Sequence, residues 1–259
     1  MCELMGMSAN VPTDVCFSFC GLIERGGGSG PHKDGWGTVI YEGNGIRCFH
    51  DPEPGYSSAM AQFLKSYPIK SRAVISHIRQ ANVGAVSLQN THPFIRELWG
   101  RQITYAHNGQ LDKSLFDWPL ARFKPVGTTD SEYAFCWLLG QIETAFPDEQ
   151  PEPVVLHHFV KERCDQLRSL GVFNMLLSDG DVLMAYCTTK LSWITRKAPF
   201  GKATLKDVDM QIDFCSHTSP DDVVTVVATE PLTCDEQWHT FSEGELITFI
   251  DGHLLPTAL

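Results

Sequence analysis

Apolar positions recur along the chain in short runs, broken by a few stretches with helical spacing. Alternating or continuous apolar runs predict strands over 3–8, 37–41, 45–50, 72–77, 102–106, 173–178, 182–187, 191–196, 205–212, 223–229 and 245–250. Helical spacing predicts helices over 13–25, with Thr13 or Asp14 as N-cap, and over 57–66, 130–146 and 154–170. Gly43-Asn44 and Asp179-Gly180 are hairpin turn signals between strand runs. The runs over 173–177 and 223–227 are almost wholly apolar, as strands covered on both faces are. Two helices fall between two groups of strands. A layered protein of mainly antiparallel sheets fits that order better than βαβ alternation.

The 259 residues, 43% hydrophobic and 20% charged, suit one large sheet-based domain over residues 2–259 with a real core. A net charge of −11 argues against nucleic acid or an anionic membrane as the main partner. No apolar run reaches the roughly 18–20 residues of a membrane span, and no secretory signal opens the chain. The nine cysteines are odd in number and lack paired spacing, which predicts reduced thiols in a cytoplasmic protein. Cys16 and Cys20 share one helical face. A metal pair or two core thiols would both fit; with no His or Cys motif nearby, the core is favoured and no metal is assigned.

Cys2 stands directly behind Met1. Aminopeptidases remove an initiator Met when so small a side chain follows, which would leave a thiol and a free α-amine on one residue. Their ordinary pKa values, about 8.5 and about 7.7–8, put a nucleophile and a base near poise at neutral pH. A frayed terminus without function is the alternative. Arg79 follows the strand over 72–77, where its fork could clamp a carboxylate, although a lone arginine is more often merely solvated. His107-Asn108-Gly109 follows the strand over 102–106 and reads either as an ordinary Asn-Gly turn or as an amide and an N–H forming an oxyanion hole. Thr128-Thr129-Asp130 opens a helix, where a Thr or the Asp could cap the first turn, or Asp130 could hold an ammonium group. His92, before a rigid Pro93, is a substrate contact or a structural hydrogen bonder. The Gly-rich stretch over 26–30 lacks the phosphate-loop pattern, and no GxSxG elbow exists.

Taken in order, Cys2, Asp34-Gly35-Trp36-Gly37, His77-Ile78-Arg79, Asn90-Thr91-His92-Pro93, His107-Asn108-Gly109 and Asp130-Ser131-Glu132 resemble the class II glutamine amidotransferase domain, a family of N-terminal-nucleophile hydrolases. The likeness covers essentially the whole chain. It implies an α+β fold, a four-layer αββα sandwich of two mostly antiparallel sheets. It also implies that Cys2 attacks the side-chain amide of glutamine, that Asn108 and the Gly109 N–H hold the oxyanion, and that Arg79 and Asp130 bind the α-carboxylate and α-ammonium. His92 is a candidate further contact, and no cofactor is implied. Synthase-linked members carry Thr-Arg-Trp-Ala-Thr-His around the arginine, whereas this chain has Ile78-Arg79-Gln80-Ala81-Asn82-Val83. The departure leaves room for another γ-glutamyl amide as substrate. Nothing in the chain resembles a domain that would consume ammonia, so either a separate partner accepts it or the protein is a hydrolase acting alone. A non-catalytic binding module that kept the fold is the competitor from outside enzymology.

Overall fold

The structure, a computed structural model, describes residues 2–82 and 84–256. Met1, whose removal would free the Cys2 amine, and Val83, one of the departures near Arg79, lie outside the described residues.

In chain order the first half comprises β1 (Glu3–Asp14), α1 (Cys16–Glu24), β2 (Trp36–Glu42), β3 (Gly45–Asp51), α2 (Ala59–Ser66), β4 (Lys70–Ile78), β5 (Phe94–Leu98), β6 (Arg101–Leu111) and α3 (Asp130–Ala145). The second half comprises α4 (Pro153–Arg168), β7 (Gly171–Ser178), β8 (Val182–Cys187), β9 (Ser192–Lys197), β10 (Lys202–Thr204), β11 (Gln211–Asp213), β12 (Val223–Ala228), β13 (His239–Thr240), β14 (Glu245–Ile250) and β15 (His253–Leu254). One sheet has the order β13-β9-β12-β1-β4-β2-β3 and the other β15-β14-β8-β7-β6-β5, while β10 and β11 pair separately. Every recorded strand pair is antiparallel.

Strand alternation sorts the apolar side chains into layers. Met5 of β1 and Val74 of β4 face the α1–α2 layer, while their neighbours Leu4 and Ile75 face inward to meet Ala106, Leu176 and Leu183 of the opposite sheet. Met175 of β7 faces α3 and α4, packing with Phe135 and Leu138. Two sheets between two helical layers give the expected αββα sandwich. No helix among the described residues is long and apolar enough to cross a membrane. No group of His, Cys, Asp and Glu among them could hold a metal ion. Cys20 lies in the core beneath α1, and the Cys16 thiol faces the carbonyl oxygens of Leu64 and Tyr67.

The structure departs from the sequence pattern in four main places, apart from the two-residue strands β13 and β15, which that pattern did not predict. Thr13 and Asp14 belong to β1, paired with Ser71 and Lys70 beyond a register break, so α1 begins only at Cys16; Val15 makes no side-chain cap, but Asp14 still caps, its Oδ1 accepting from Cys16 N–H at 2.7 Å. The Asn108-Gly109 pair is not a turn: β6 runs on to Leu111 and pairs with β7, because a long partner strand outweighs the local turn preference. The strand predicted over 205–212 is mostly the loop between the three-residue strands β10 and β11, closed from Leu205 N–H to Met210 O; only 211–212 belong to a strand. Strand β5, which the pattern did not predict, pairs with β6 along its whole length.

Candidate active site

Cys2 immediately precedes β1 and is 9% exposed. The pairing of Glu3 with Ile78 carries β4 directly past it, so that the Gln80 N–H donates to Cys2 Sγ at 3.2 Å and the Gln80 carbonyl stands 3.4 Å from the same sulfur. The segment after β4 is pinned by the Asp34-Gly35 turn. Arg79 N–H donates to Gly35 O (2.8 Å), Asp34 N–H to Arg79 O (3.2 Å) and Ala81 N–H to Asp34 Oδ2 (2.7 Å). Gly37 must be glycine for this packing, since a Cβ there would come within 2.3 Å of both His92 O and the His50 ring.

Arg79 is 2% exposed, and its guanidinium donates to Ala85 O (3.0 Å) and Gly84 O (3.3 Å). Asn90 stitches the following loop to the start of α3, donating to Ala85 O and Thr128 Oγ1 and accepting from Thr128 N–H. Thr129, not Asp130, caps α3, its hydroxyl accepting from Glu132 N–H. That leaves Asp130 as a buried carboxylate at the positive end of the helix, with Oδ2 accepting from Leu111 N–H at 2.8 Å.

On β6, the Asn108 amide donates from Nδ2 to the Cys2 carbonyl, while its Oδ1 is buried without a partner among the described residues. The amide nitrogen has two N–H groups, so one remains for a bound oxygen. A Cβ on Gly109 would lie 1.9 Å from Val172 O, which only glycine avoids. Cys2, Arg79, His92, Gly109 and Asp130 line one cavity of about 320 Å³, with Gln80, Ala81, Asn82, His107 and Ser131 completing its wall. Asn108 stands beside it, wholly buried.

Three buried imidazoles back this cavity. The rings of His77 and His92 lie 4.2 Å apart, and among the described residues none of their four nitrogens has a hydrogen-bond partner. His107 faces Ser131 Oγ (2.8 Å) with Nδ1 and Val172 O (3.2 Å) with Nε2. The carbonyl accepts only, so the proton belongs on Nε2. Burial keeps all three neutral. It lowers His77 to about 3, with His107 and Arg79 adding to the effect, and puts His92 well below the usual value. It also lowers His107, against the opposing pull of Asp130. Burial likewise raises the Cys2 thiol, opposed by the Gln80 N–H and the Arg79 charge.

All six residues singled out in the sequence thus gather at one place. Two contributors carried no sequence signal: the Gln80 backbone, which brackets the sulfur, and Asn174 of β7, which binds the Asn108 main chain.

Residues 1–259 match the family model described as class II glutamine amidotransferases. The chain is 58% identical over 254 residues to YafJ of Escherichia coli (strain K12), a protein named as a candidate glutamine amidotransferase, covering 97% of this chain and 98% of that one. It is 36% identical to the uncharacterised protein MJ1515 of Methanocaldococcus jannaschii, covering 98% of this chain and 71% of that one. Among solved structures it resembles a predicted glutamine amidotransferase from Pseudomonas aeruginosa PA01, with a TM-score of 0.77 and 51% identity over 98% of this chain and 99% of that one. It also shares its fold with the glutamine phosphoribosylpyrophosphate amidotransferase of B. subtilis, at a TM-score of 0.64 and 15% identity over 98% of this chain and 48% of that one. The chain belongs to the class II glutamine amidotransferases.

Proposed function

We propose that the protein is a glutamine-dependent amidohydrolase in which Cys2, freed of Met1, is the nucleophile. The observation that carries this is the convergence of Cys2, Arg79, Gly109 and Asp130 on one cavity, with the Asn108 amide alongside. The Cys2 α-amine, through a water, takes the thiol proton as sulfur bonds to the γ-carbonyl carbon of glutamine. The carbonyl π electrons move to oxygen, where the second Asn108 Nδ2–H and the Gly109 N–H receive them. Collapse breaks the C–N bond, the α-ammonium returns its proton to the leaving nitrogen, and ammonia departs. Water then cleaves the γ-glutamyl thioester, releasing glutamate and restoring the thiol. Arg79 holds the substrate carboxylate, and Asp130 offers the ammonium the oxygen that Leu111 does not use. On this reading the enzyme works in the cytoplasm.

Intact mass before and after treatment with a diazoketone analogue of glutamine tests the proposal. A mass lacking Met1 and a single adduct on Cys2 are expected, and Cys2→Ala should abolish glutamine hydrolysis while the fold persists. Full activity in Cys2→Ala, or in protein that retains Met1, would overturn it.

A second substrate reading rests on Gln80, Ala81 and Asn82, which line the cavity where the synthase-linked pattern has Trp, Ala and Thr. Hydrolysis of a bulkier γ-glutamyl amide in preference to glutamine would favour it.

A further inference from the structure

The carbonyl of Asn108 and the N–H of Gly109 are two ends of one planar trans peptide, so they point in opposite directions. Whatever fixes the carbonyl therefore aims the N–H. Here the fixing group is Asn174, which stands opposite Asn108 in the β6–β7 register and donates from Nδ2 to Asn108 O at 3.1 Å. Asn174 is wholly buried and fully engaged. Its Nδ2 also donates to Thr189 Oγ1 (2.8 Å), and its Oδ1 accepts from Thr188 N–H (2.9 Å) and Thr189 N–H (3.0 Å). Thr188 and Thr189 form the link by which the chain leaves β8 in one sheet for β9 in the other, and Thr188 Oγ1 accepts in turn from Phe173 N–H at 2.9 Å. An amide with every hydrogen-bonding site committed has one orientation.

We propose that Asn174 is a positioning residue for the oxyanion hole. It holds the 108–109 peptide plane so that the Gly109 N–H faces the cavity, and by donating to the carbonyl it polarises that N–H as a donor. This rests on the role proposed above for Gly109, and the inter-sheet turn is the anchor against which the plane is set.

Asn174→Asp tests it in the full-length protein. The change keeps an oxygen for the two turn N–H groups and replaces the donor facing Asn108 O by an acceptor. Since loss of a whole oxyanion donor costs about 10²–10³-fold in kcat, misaiming one should lower kcat roughly 10- to 100-fold with KM within about twofold. A glutamate γ-aldehyde forms a hemithioacetal with Cys2 whose oxygen occupies the same place. Its affinity should fall by the same factor as kcat/KM, while glutamate affinity and the rate of Cys2 alkylation by iodoacetamide stay at wild-type values. Should Asn174→Asp fail to fold, Asn174→Ser, too short to reach the Asn108 carbonyl, carries the same expectation. A folded variant with wild-type kcat and aldehyde affinity overturns the inference, as does a parallel loss of alkylation rate, which would mark a purely structural role. Wild-type protein that hydrolyses no γ-glutamyl amide would instead overturn the proposed function beneath it.

Discussion

Gly109→Ala isolates the geometric demand at the centre of the site. A methyl group on Gly109 would stand 1.9 Å from Val172 O, 2.6 Å from Val172 C and 2.8 Å from His107 Nε2. Real Cβ contacts essentially never fall below 3.0 Å, so β6 and β7 must part by at least 1.1 Å (3.0 minus 1.9) at this point. Such a displacement stretches an ordinary bond of about 2.9 Å to about 4 Å, beyond hydrogen bonding. Val172 lies opposite Gln110, while Phe173 gives its N–H to Thr188 Oγ1 rather than to Gly109, so the roughly two ladder bonds at risk are those between Gln110 and Val172, at the half-exposed end of the strand pair. At about 1 kcal/mol net for each bond, the cost is about 1–3 kcal/mol of stability. The same movement takes the Gly109 N–H away from its position, for which about 10²–10³ in kcat is the measure. Urea unfolding and steady-state glutamine hydrolysis read the two effects. Gly201→Ala, where an added Cβ meets nothing within 4 Å, is the control and should change neither. Gly109→Ala with wild-type stability and kcat would refute the claim that glycine is required by close approach of the strands.

Two further outcomes follow from the charges around the cavity. His77 is held down to about 3, and burial also lowers His92 and His107; their folded values lie below the unfolded value of about 6.5. These groups therefore contribute their full stability above about pH 6.5; as pH falls below it, His77 and His92 each cost about 1.4 kcal/mol per pH unit, because only the unfolded chain binds those protons, and His107 acts in the same direction. Urea unfolding between pH 8 and 5 should show this slope, and His77→Phe should remove one histidine's share; an unchanged slope in that variant would contradict the assignment. Asp130→Ala should raise KM for glutamine with little change in kcat, since the ammonium it is proposed to hold is charged in ground and transition states alike; a fall in kcat at constant KM would remove Asp130 from that role.

The layers were legible in the sequence because strand alternation and apolar runs are read residue by residue. Nearly all the long strands and all four helices appear where the pattern predicts them, with shifted ends. What local pattern could not reveal was decided by distant partners. Asn108-Gly109 carries a strong turn signal, yet β7 lies alongside and recruits it into a strand. Thr13 and Asp14 are good N-caps, yet Ser71 and Lys70 take their backbone into β1, from which Asp14 still accepts from Cys16 N–H. The site residues were legible as an ordered set, but Asn174 was not: an asparagine inside an apolar strand has no local signature of what it binds. Its meaning lies in Asn108, 66 positions away.

The surroundings of Cys2 also bear on which group can serve as its base. Three histidines sit within or behind the cavity, and a Cys–His pair would be the obvious alternative to an N-terminal amine. Their hydrogen bonding argues against it. His107 has both nitrogens engaged, by Ser131 and Val172. Among the described residues, no hydrogen bond joins a nitrogen of His77 or His92 to the sulfur. The contacts recorded for Cys2 Sγ are to the Gln80 backbone. Burial raises the thiol, so at rest it keeps its proton, and attack requires an acceptor close by. Neutral rings stacked on one another can shape a dry wall but cannot receive that proton without reorienting. The proposed chemistry therefore draws its base from the residue itself, which ties activity to the exposure of the Cys2 α-amine and makes removal of Met1 the step that places a free base beside the thiol.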